Sequence, residues 1–407
     1  HRDLHSFPTR RSSDLLEEFR RRTWHGVVFE PDAMAATMLE MLRETGRCRV
    51  MLNTTFAGVQ GDPERIHAAV LSDGRRLVAD VYVDSTGDGA VCAAAGCAMM
   101  SGQEARSVFD EPGAPEKPTA KVNGVTLIYR VTPVALSDRS SVAGTGGPGG
   151  HGPGDAMPRP AVAATDALSG SVEPLPAGVP TNCWWAARFP SAAINQYPNG
   201  DLNVNMLPTM DGAEFLRRGH GDAMEECRRR VAAHWHHVQT TCAEFRGFRM
   251  SWTAPAPGIR ESRRVVGEYV LTQRDLLAGV GKQGHPDIIC IADHSMDTHG
   301  GHTKASGEVP GPYGVPYRCL VPKGRLNLLV ACRAASFSSI AASSCRLSRT
   351  MMQLGQAAGT AAALAKELGV DLPAVPPDRL RAALRAQHVQ LEHPMPPELA
   401  AHLAEGG

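Results

Sequence analysis

The chain has 407 residues, of which 43% are hydrophobic and 21% are charged, so it can bury a large core. Lys plus Arg and Asp plus Glu each number 42, and this balance gives no reason to expect nucleic acid or an anionic membrane as a partner. The longest apolar run, near 357–365, is much shorter than the roughly 20 residues of a membrane span. The composition therefore favours a globular protein that acts on a small molecule.

Two features of the sequence bear on where the protein is located in the cell: its first residues and its cysteines. Residues 1–15, HRDLHSFPTRRSSDL, resemble the translation of a sequencing-library adapter and predict no part of the fold; a targeting peptide is the alternative. The 10 cysteines contain no Cys-x-x-Cys pair, which is typical of reduced thiols in the cytoplasm.

The first predicted elements form a helix, a small antiparallel insertion and a strand-turn-helix unit. Apolar residues recur at helical spacing through 31–44. The turn at Thr86-Gly87-Asp88-Gly89 separates a β-rich run at 79–84 from an alanine-rich helix at 90–95. The strands of the insertion are predicted near 48–52, 56–60, 66–71 and 75–78.

The second half of the chain contains a separate β-rich region and a returning strand and helix. Strand patterns occupy 122–131 and 186–205, and the stretch 137–181 between them is dense in Gly, Pro and Ser, as in a mobile loop. The remaining elements are predicted as helices at 222–245 and within 265–278, a buried strand at 326–331, a long Gly/Ala helix at 346–368 and an amphipathic tail.

The turn after the strand at 79–84 is the strongest local signal for a cofactor. Gly87 and Gly89 allow close approach of the backbone to a dinucleotide at the carboxyl end of a strand, and Asp88 can accept hydrogen bonds from sugar hydroxyls. An ordinary glycine turn with a helix-capping Asp is the alternative.

Further stretches make the resemblance to a family explicit. From Phe29 onward the chain resembles the bacterial FAD-dependent oxidoreductases related to the flavoprotein subunit of heterodisulfide reductase. The matching stretches, in order, are FEPDAMAATMLEML (29–42), VYVDSTGDGAVCAAAGC (81–97), GIRESRRVVGEYVLTQRDL (258–276), YGVPYRCLVPKGRLNLLVACRAASFS (313–338) and LGQAAGTAAALA (354–365).

The resemblance implies an α/β fold built on a doubly wound, Rossmann-like FAD-binding domain that is incomplete at its start. This domain would comprise 16–104 and 317–368, with a β-rich α+β substrate domain inserted at 105–316 and a helical tail at 369–407. The G-x-G-x-x-G turn of such domains does not occur in the chain. We therefore expect that turn upstream of Leu16, and we expect this chain to bind FAD poorly and to be inactive on its own.

The resemblance also implies which residues contact FAD, and these lie in the turn, the returning segment and the closing helix. An arginine near the flavin pyrimidine would stabilise the anionic reduced flavin, although surface ion pairing is the alternative for Arg333 and Arg346. The implied FAD contacts are Thr86, Gly87, Asp88, Gly89, Arg333, Ser336, Arg346, Gly355 and Gln356.

The chain departs from the family pattern at three positions of the returning segment. It has Cys332 before Arg333 where members have Gly-Arg, Ser339 where they have His, and Arg349 where they have Pro. The missing imidazole puts the usual chemistry of the family at this position in doubt.

Two further segments carry candidate catalytic residues. GIRESRR at 258–264 concentrates three arginines in a turn before a helix, and Arg260 is the first choice for clamping an anionic substrate; a structural pair with Glu261 is the alternative. Asp293 to His302 contains three histidines, of which His299 is the first choice for proton transfer. The spacing of this cluster fits no standard zinc or iron pattern, so no metal site is predicted.

Two other motifs are interpreted as structural. Neighbouring residues of His234-Trp235-His236-His237 point in different directions on a helix, so the motif predicts a helical surface. Cys92 and Cys97 lack the further cysteines that an iron–sulfur cluster needs, and we expect them to pack in the fold.

The sequence thus predicts a flavoenzyme that transfers a hydride between a small organic substrate and FAD, with an unknown electron acceptor or donor. Two alternatives remain open. One is an electron-transfer flavoprotein subunit that works with an iron–sulfur partner, and the other is a binding module that keeps the fold without flavin chemistry.

Overall fold

The computed structural model of the chain describes residues 24–25, 28–134, 171–299, 305 and 307–405. Three sequence-based expectations fall outside these residues: the adapter-like residues 1–15, positions 137–170 of the predicted loop, and His302. Within the described parts of the chain, no helix combines the length and the apolar character needed to cross a bilayer.

The structure is a mixed α/β fold of short strands and mostly short helices. The helices are α1 Pro31–Glu44, α2 Ala90–Ala94, α3 Arg106–Phe109, α4 Gly212–Arg218, α5 His220–Thr241, α6 Gln273–Ala278, α7 Ser339–Ser344, α8 Ser348–Leu368, α9 Pro377–Ala386 and α10 Pro397–Glu405. The strands are β1 Trp24–His25, β2 Val28–Phe29, β3 Phe56–Gly61, β4 Ile66–Leu71, β5 Arg76–Leu77, β6 Tyr82–Asp84, β7 Met99–Ser101, β8 Tyr129–Pro133, β9 Ala192–Gln196, β10 Leu202–Met206, β11 Phe248–Thr253, β12 Arg263–Val265, β13 Ile288–Ala292, β14 Tyr313–Pro316 and β15 Leu328–Val330.

Most of the local predictions are confirmed, and two are wrong. The strand predicted near 48–52 is irregular chain with a turn. The GIRESRR segment does not form a turn before a helix, because its last residues lie in β12, which pairs antiparallel with β7. Residues 263–265 thus gain their regular conformation from a partner strand far away in the sequence.

The chain divides into two compact units. The first comprises 30–123 and 260–407, and the second comprises 124–259, so the second interrupts the first in sequence. Two separate hydrophobic clusters of buried residues correspond to these units.

The unit at 124–259 is built on an antiparallel sheet with strand order β11-β8-β10-β9. Helix α5 contributes Met224, Cys227, Val231, Trp235 and Val238 to the core, a spacing of three or four residues that keeps them on one face. Alternate residues of β8 and β10 are buried in the same core, as expected for a sheet with one covered face.

The first unit contains one parallel strand pair, and it joins distant parts of the sequence. Strand β15 pairs with β6 in the register Leu328↔Tyr82, Leu329↔Val83 and Val330↔Asp84. The strand before the glycine turn therefore lies beside the returning strand. Because the strands are parallel, the turn after β6 and the segment after β15 leave the sheet at the same edge.

The returning strand and helix form the centre of this unit. All three residues of β15 are completely buried, and so are Ala357, Ala358 and Ala361 of α8. The small side chains on this face of α8 let its backbone approach the core closely. The rest of the cluster is supplied largely by β13, β14, α7 and α9.

The two segments of the first unit are joined by one carboxylate where the intervening residues begin and end. Glu261 Oε2 accepts hydrogen bonds from the backbone N and from Nδ2 of Asn123, both at 2.9 Å. Thr126, three residues after Asn123, forms an antiparallel bridge with Gly258, three residues before Glu261. The residues that begin and end the intervening segment therefore lie next to each other.

Candidate functional site

The turn after β6 is organised by the buried carboxylate of Asp84. Its Oδ1 accepts hydrogen bonds from the backbone N of Thr86 at 3.0 Å and from the Thr86 hydroxyl at 2.7 Å, and its Oδ2 accepts from Cys92 N at 2.9 Å. The Thr86 hydroxyl in turn accepts from Ala90 N at 2.8 Å, next to the start of α2. These bonds hold the turn and the helix after it in one conformation.

Glycine is required in this turn for two reasons. Gly87 and Gly89 have φ angles of +85° and +65°, which disfavour other residues. A Cβ on Gly87 would lie 2.5 Å from Nη1 of Arg333. The guanidinium of the returning segment is therefore packed directly against the turn.

Asp88 connects the turn to two other segments. Its Oδ1 accepts hydrogen bonds from Arg333 Nη2 at 2.5 Å and from the Ser262 hydroxyl at 2.6 Å, while its backbone oxygen accepts from Arg263 Nε at 2.7 Å. The carboxylate remains 41% exposed, and its Oδ2 accepts no bond from the described residues. Sequence reasoning missed Ser262, because a lone serine beside a glutamate carries no motif.

The three arginines of GIRESRR have three different environments. Arg264 is fully buried and donates to Glu104 Oε1 at 2.5 Å, to Gly102 O at 2.8 Å and to Glu261. The segment thus contains a structural ion pair with Glu261, and Arg264 forms it. Burial raises the pKa of Glu261, although the charge of Arg264 lowers it.

Arg260 belongs to a cluster around Asp297. Asp297 Oδ2 lies 2.6 Å from His299 Nε2 and 2.8 Å from Arg346 Nη2. Arg346 also donates from Nε to Ser343 O at 3.0 Å. The structure therefore brings together two predicted catalytic residues, His299 and Arg260, with Arg346, which was predicted to contact the cofactor.

The charges of this Asp297 cluster (Arg260, Asp297, His299 and Arg346) shift one another's pKa values. Burial lowers the pKa of Arg260 to about 10, and Arg346 lowers it while Asp297 raises it, so the side chain stays protonated at neutral pH. Burial raises the pKa of Asp297, but the hydrogen bond from His299 and the nearby cations more than reverse this effect, and the net pKa lies below its usual value.

The segment 260–264 links this cluster to the glycine turn. Arg260 interacts with the charges of Arg346 and Asp297, and Ser262 donates to Asp88 of the turn. Two residues of extended chain span at most about 7 Å between Cα atoms. Arg260 of the Asp297 cluster and Ser262 beside the glycine turn are therefore held at neighbouring backbone positions within the first unit.

Of three further predicted cofactor contacts, two have other partners in the structure and the third is an exposed glycine. The Ser336 hydroxyl is fully buried and accepts from Gly267 N at 2.9 Å. Gly355 is exposed in α8, and the neighbouring Gln356 donates from Nε2 to Gln387 Oε1 at 3.0 Å. The cofactor roles of these three residues stay predictions.

The surface interpretation of the His234 motif is wrong. His234 is 1% exposed, and its ring nitrogens lie 2.9 Å from Tyr129 Oη and 3.1 Å from Pro190 O. His237 stacks on Phe189 with 4.1 Å between ring centroids. The spacing predicted which of these residues share a helical face. It could not predict that the face is buried, because the strand that covers it lies about a hundred residues earlier.

Cys92 and Cys97 pack in the fold as expected. Both are buried, and contact between the thiols together with Arg325 favours the charged form of Cys97, whose pKa falls to about 7. Among the described residues, no group of three or more His, Cys, Asp or Glu side chains is arranged to hold a metal ion.

The comparison with protein families identifies the chain. The model of the FAD dependent oxidoreductase family matches residues 3–384. The chain belongs to this family. FAD is accordingly the cofactor of this oxidoreductase.

Two solved structures resemble the oxidoreductase at low sequence identity. MibH, a tryptophan 5-halogenase, matches at 13% identity over 88% of this chain and 42% of its own, with a TM-score of 0.34. A mutant of P. aeruginosa PqsL matches at 13% identity over 92% of this chain and 67% of its own, with a TM-score of 0.27. The oxidoreductase chain thus spans less than half of the halogenase. No curated protein matches it in sequence.

The residues of the turn fit a flavin dinucleotide. Gly87 and Gly89 carry no side chains, and they lie at the edge where the two parallel strands end, which is where such folds bind dinucleotides. Arg333 Nε is buried and has no hydrogen-bond partner among the described residues, so the guanidinium has a donor left for an anionic or carbonyl group. The exposed Asp88 carboxylate can accept from ribityl hydroxyls.

Proposed function

We propose that this oxidoreductase transfers a hydride between a small organic anion and FAD, with the Asp297 cluster as the place where the substrate reacts. The observation that carries the proposal is the contact of one carboxylate, Asp297, with the His299 imidazole and the Arg346 guanidinium, beside buried Arg260. This arrangement combines a group that can exchange a proton with groups that bind a negative charge.

His299 is the proposed acid or base. Its Nε2 faces Asp297 at 2.6 Å, so a proton on Nε2 donates to the carboxylate and leaves Nδ1 as the acceptor. The side chain is 23% exposed, which gives a substrate access. When a substrate alcohol or amine loses a hydride from carbon, its remaining O–H or N–H proton passes to Nδ1, and the reverse transfer accompanies reduction. FAD, when bound, supplies the hydride acceptor or donor.

Arg260 and Arg346 are the proposed anion-binding groups. Both are largely buried, and a guanidinium fork matches the geometry of a carboxylate. The two guanidinium groups together offer several N–H donors to a substrate carboxylate. An organic acid with a hydroxyl or amino group next to the carboxylate has the matching chemistry.

The proposal extends to the cofactor and the domains. Thr86, Gly87, Asp88, Gly89 and Arg333 would hold the ribityl or pyrophosphate part of FAD, as supported by the turn geometry. The parallel pair β6–β15 would belong to a doubly wound FAD-binding domain formed by 16–104 and 317–368. Residues 105–316 would form the inserted substrate domain, and 369–407 the helical tail.

The test is the reduction of the full-length, FAD-loaded protein by organic donors without oxygen. A panel of 2-hydroxy acids and 2-amino acids is mixed with the protein, and bleaching of the visible flavin absorbance is followed. We expect at least one anionic donor to bleach the flavin. The His299→Gln variant should retain FAD but bleach about 10²- to 10⁴-fold more slowly, which is the usual contribution of a general base.

A matched control is His285→Gln, because His285 Nε2 also contacts an aspartate, Asp275, at 2.8 Å. Its rate of bleaching should equal that of the unaltered protein. Equal rates for His299→Gln would remove His299 from the mechanism. No bleaching by any donor, with copurification of an iron–sulfur protein, would favour an electron-transfer subunit, and failure of the full-length protein to take up FAD would favour a binding module.

A further inference from the structure

A cavity lies entirely within the unit at 124–259. Its volume is about 590 Å³, which is large enough for a small organic molecule. None of its lining residues belongs to the glycine turn or to the Asp297 cluster. Its chemistry can therefore be considered independently of the flavin.

One side of the cavity is aromatic. Trp184 and Trp185 lie edge to face, with 4.7 Å between ring centroids and an interplanar angle of 76°. The guanidinium carbon of Arg229 is 5.3 Å from the Trp184 centroid, and that of Arg230 is 5.6 Å from the Trp185 centroid. Perpendicular indole rings offer both an edge and a face to a planar group.

The cavity is also lined by charged side chains, and its two carboxylates already accept hydrogen bonds from other lining residues. Glu226 accepts from Trp184 Nε1 at 2.8 Å, from Arg230 Nε at 2.9 Å and from Arg229 Nη1 at 2.9 Å. Glu214 accepts from Arg218 Nε at 2.8 Å and from Arg230 Nη2 at 2.6 Å. Burial raises the pKa of each glutamate, but these hydrogen bonds outweigh it and the net pKa values are lowered, so both are ionised at neutral pH.

The cavity therefore has more hydrogen-bond donors than acceptors and more positive than negative charge. Three guanidinium groups face two carboxylates, which leaves one positive charge. Trp185 Nε1 is also buried without a hydrogen-bond partner among the described residues. A cationic ligand would meet this excess of like charge, whereas an anionic one would supply the missing acceptor.

We propose that this cavity binds a small aromatic carboxylate. The ring packs against the two tryptophans, and the carboxylate contacts Arg218 and Arg229, whose side chains are 41% and 43% exposed and so accessible to a ligand. Arg230 is 3% exposed and is held by both glutamates, so it shapes the cavity. The proposal does not depend on the proposed hydride transfer.

Isothermal titration calorimetry of the full chain with benzoate tests the proposal. Benzamide has nearly the same shape without the charge, and cyclohexanecarboxylate has the charge without the aromatic ring. We expect benzoate to bind about 10-fold or more tightly than benzamide, because charge-assisted hydrogen bonds contribute about 1.5–3 kcal/mol. Cyclohexanecarboxylate should bind more weakly than benzoate because it loses the contacts specific to aromatic rings.

Variants locate the site. Arg218→Gln and Arg229→Gln should each weaken benzoate binding about 10-fold. Arg217→Gln is the matched control, since Arg217 is an exposed residue of the same helix α4 that does not line the cavity. Thermal unfolding of each variant, compared with the unaltered protein, separates loss of the ligand contact from loss of the fold, and Arg218→Lys, which keeps the charge, should retain part of the affinity.

Three results would overturn the proposal. These are absence of benzoate binding, equal affinity for benzoate and benzamide, and equal benzoate affinity in the unaltered protein and both glutamine variants. Inorganic phosphate alone binding as tightly as benzoate, with the same dependence on Arg218 and Arg229, would also overturn it in favour of a simple anion site.

Discussion

Asp297 is the residue on which the proposed chemistry depends most. Its carboxylate orients the His299 ring and separates the positive charges of Arg260 and Arg346. An amide at this position keeps the size of the side chain but removes the charge and the ability to accept from both partners at once.

The Asp297→Asn variant should therefore lose substrate turnover by about 100-fold, the scale expected when a reacting group is misplaced. FAD binding should persist, because the turn at Thr86–Gly89 is unchanged. Flavin reduction by the best donor, measured across a range of pH, would show both a lower rate and an altered pH profile. Asp293→Asn is the control, because Asp293 forms an exposed ion pair with Arg349; a similar loss there would contradict the assignment.

His234 gives a prediction about stability. Burial lowers its pKa from 6.5 to about 4, so the folded protein keeps the ring neutral. Between these two values the unfolded chain binds a proton that the folded chain does not, and stability is lost as pH falls through this window. The contribution of this one ring is about 3 kcal/mol when the loss is complete.

The measurement is the free energy of unfolding as a function of pH. The unaltered protein should lose stability on acidification more steeply than His234→Gln, whose side chain does not titrate. His220→Gln, at the exposed start of the same helix, should follow the unaltered protein. Identical pH dependence in all three proteins would show that His234 titrates normally.

At the scale of elements, two reasons for glycine in the turn can be tested separately. One is the left-handed backbone, and the other is the close contact with Arg333. Gly87 and Gly74 have similar φ angles of +85° and +83°, but a Cβ at Gly74 meets no atom within 4 Å. Both Ala variants carry a left-handed residue at a cost of about 1–2 kcal/mol. Gly87→Ala must also displace Arg333.

We therefore expect both variants to be less stable to a similar degree, and Gly87→Ala alone to bind FAD about 10-fold or more weakly. Quenching of flavin fluorescence on titration measures the affinity, and thermal unfolding measures the stability. An unchanged FAD affinity in Gly87→Ala would separate the turn from the cofactor.

The elements that the sequence predicted best are those whose signal is local. Helix α1 follows from its apolar spacing, and the turn at Thr86–Gly89 follows from its glycines after a β-rich run. The pairing of β12 with β7 was not predictable, because neither short strand alternates clearly and their partners lie about 160 residues apart.

The residues of the site also divide into those with a local signal in the sequence and those defined only by tertiary contacts. Arg260 and His299 were selected because their side chains can bind an anion or exchange a proton, and Arg333 was selected through the family resemblance. Ser262 and Glu104 were missed, because their importance comes only from tertiary contacts with Asp88 and Arg264. A residue that acts by holding another leaves little trace in a single sequence.

For the whole molecule, the two separate cores predict separable effects of cavity mutations. Leu329 and Leu127 are each completely buried, the first in the core of the first unit and the second in the core of the unit at 124–259. Each Leu→Ala substitution should cost about 2–5 kcal/mol.

Hydrogen exchange followed by mass spectrometry should locate each loss. Leu329→Ala should raise exchange mainly in β6, β15 and α8, and Leu127→Ala mainly in β8, β10 and α5. Uniform acceleration across both units from either substitution would mean that they unfold as one cooperative body.

The hydrogen bonds between Asn123 and Glu261 have a consequence for how this chain can diverge. The two segments of the first unit are joined at the junction by a side chain of that unit. Lengthening, shortening or exchanging the intervening residues therefore leaves the strand pairing of the first unit untouched. Selection can alter the intervening residues while the first unit is inherited intact.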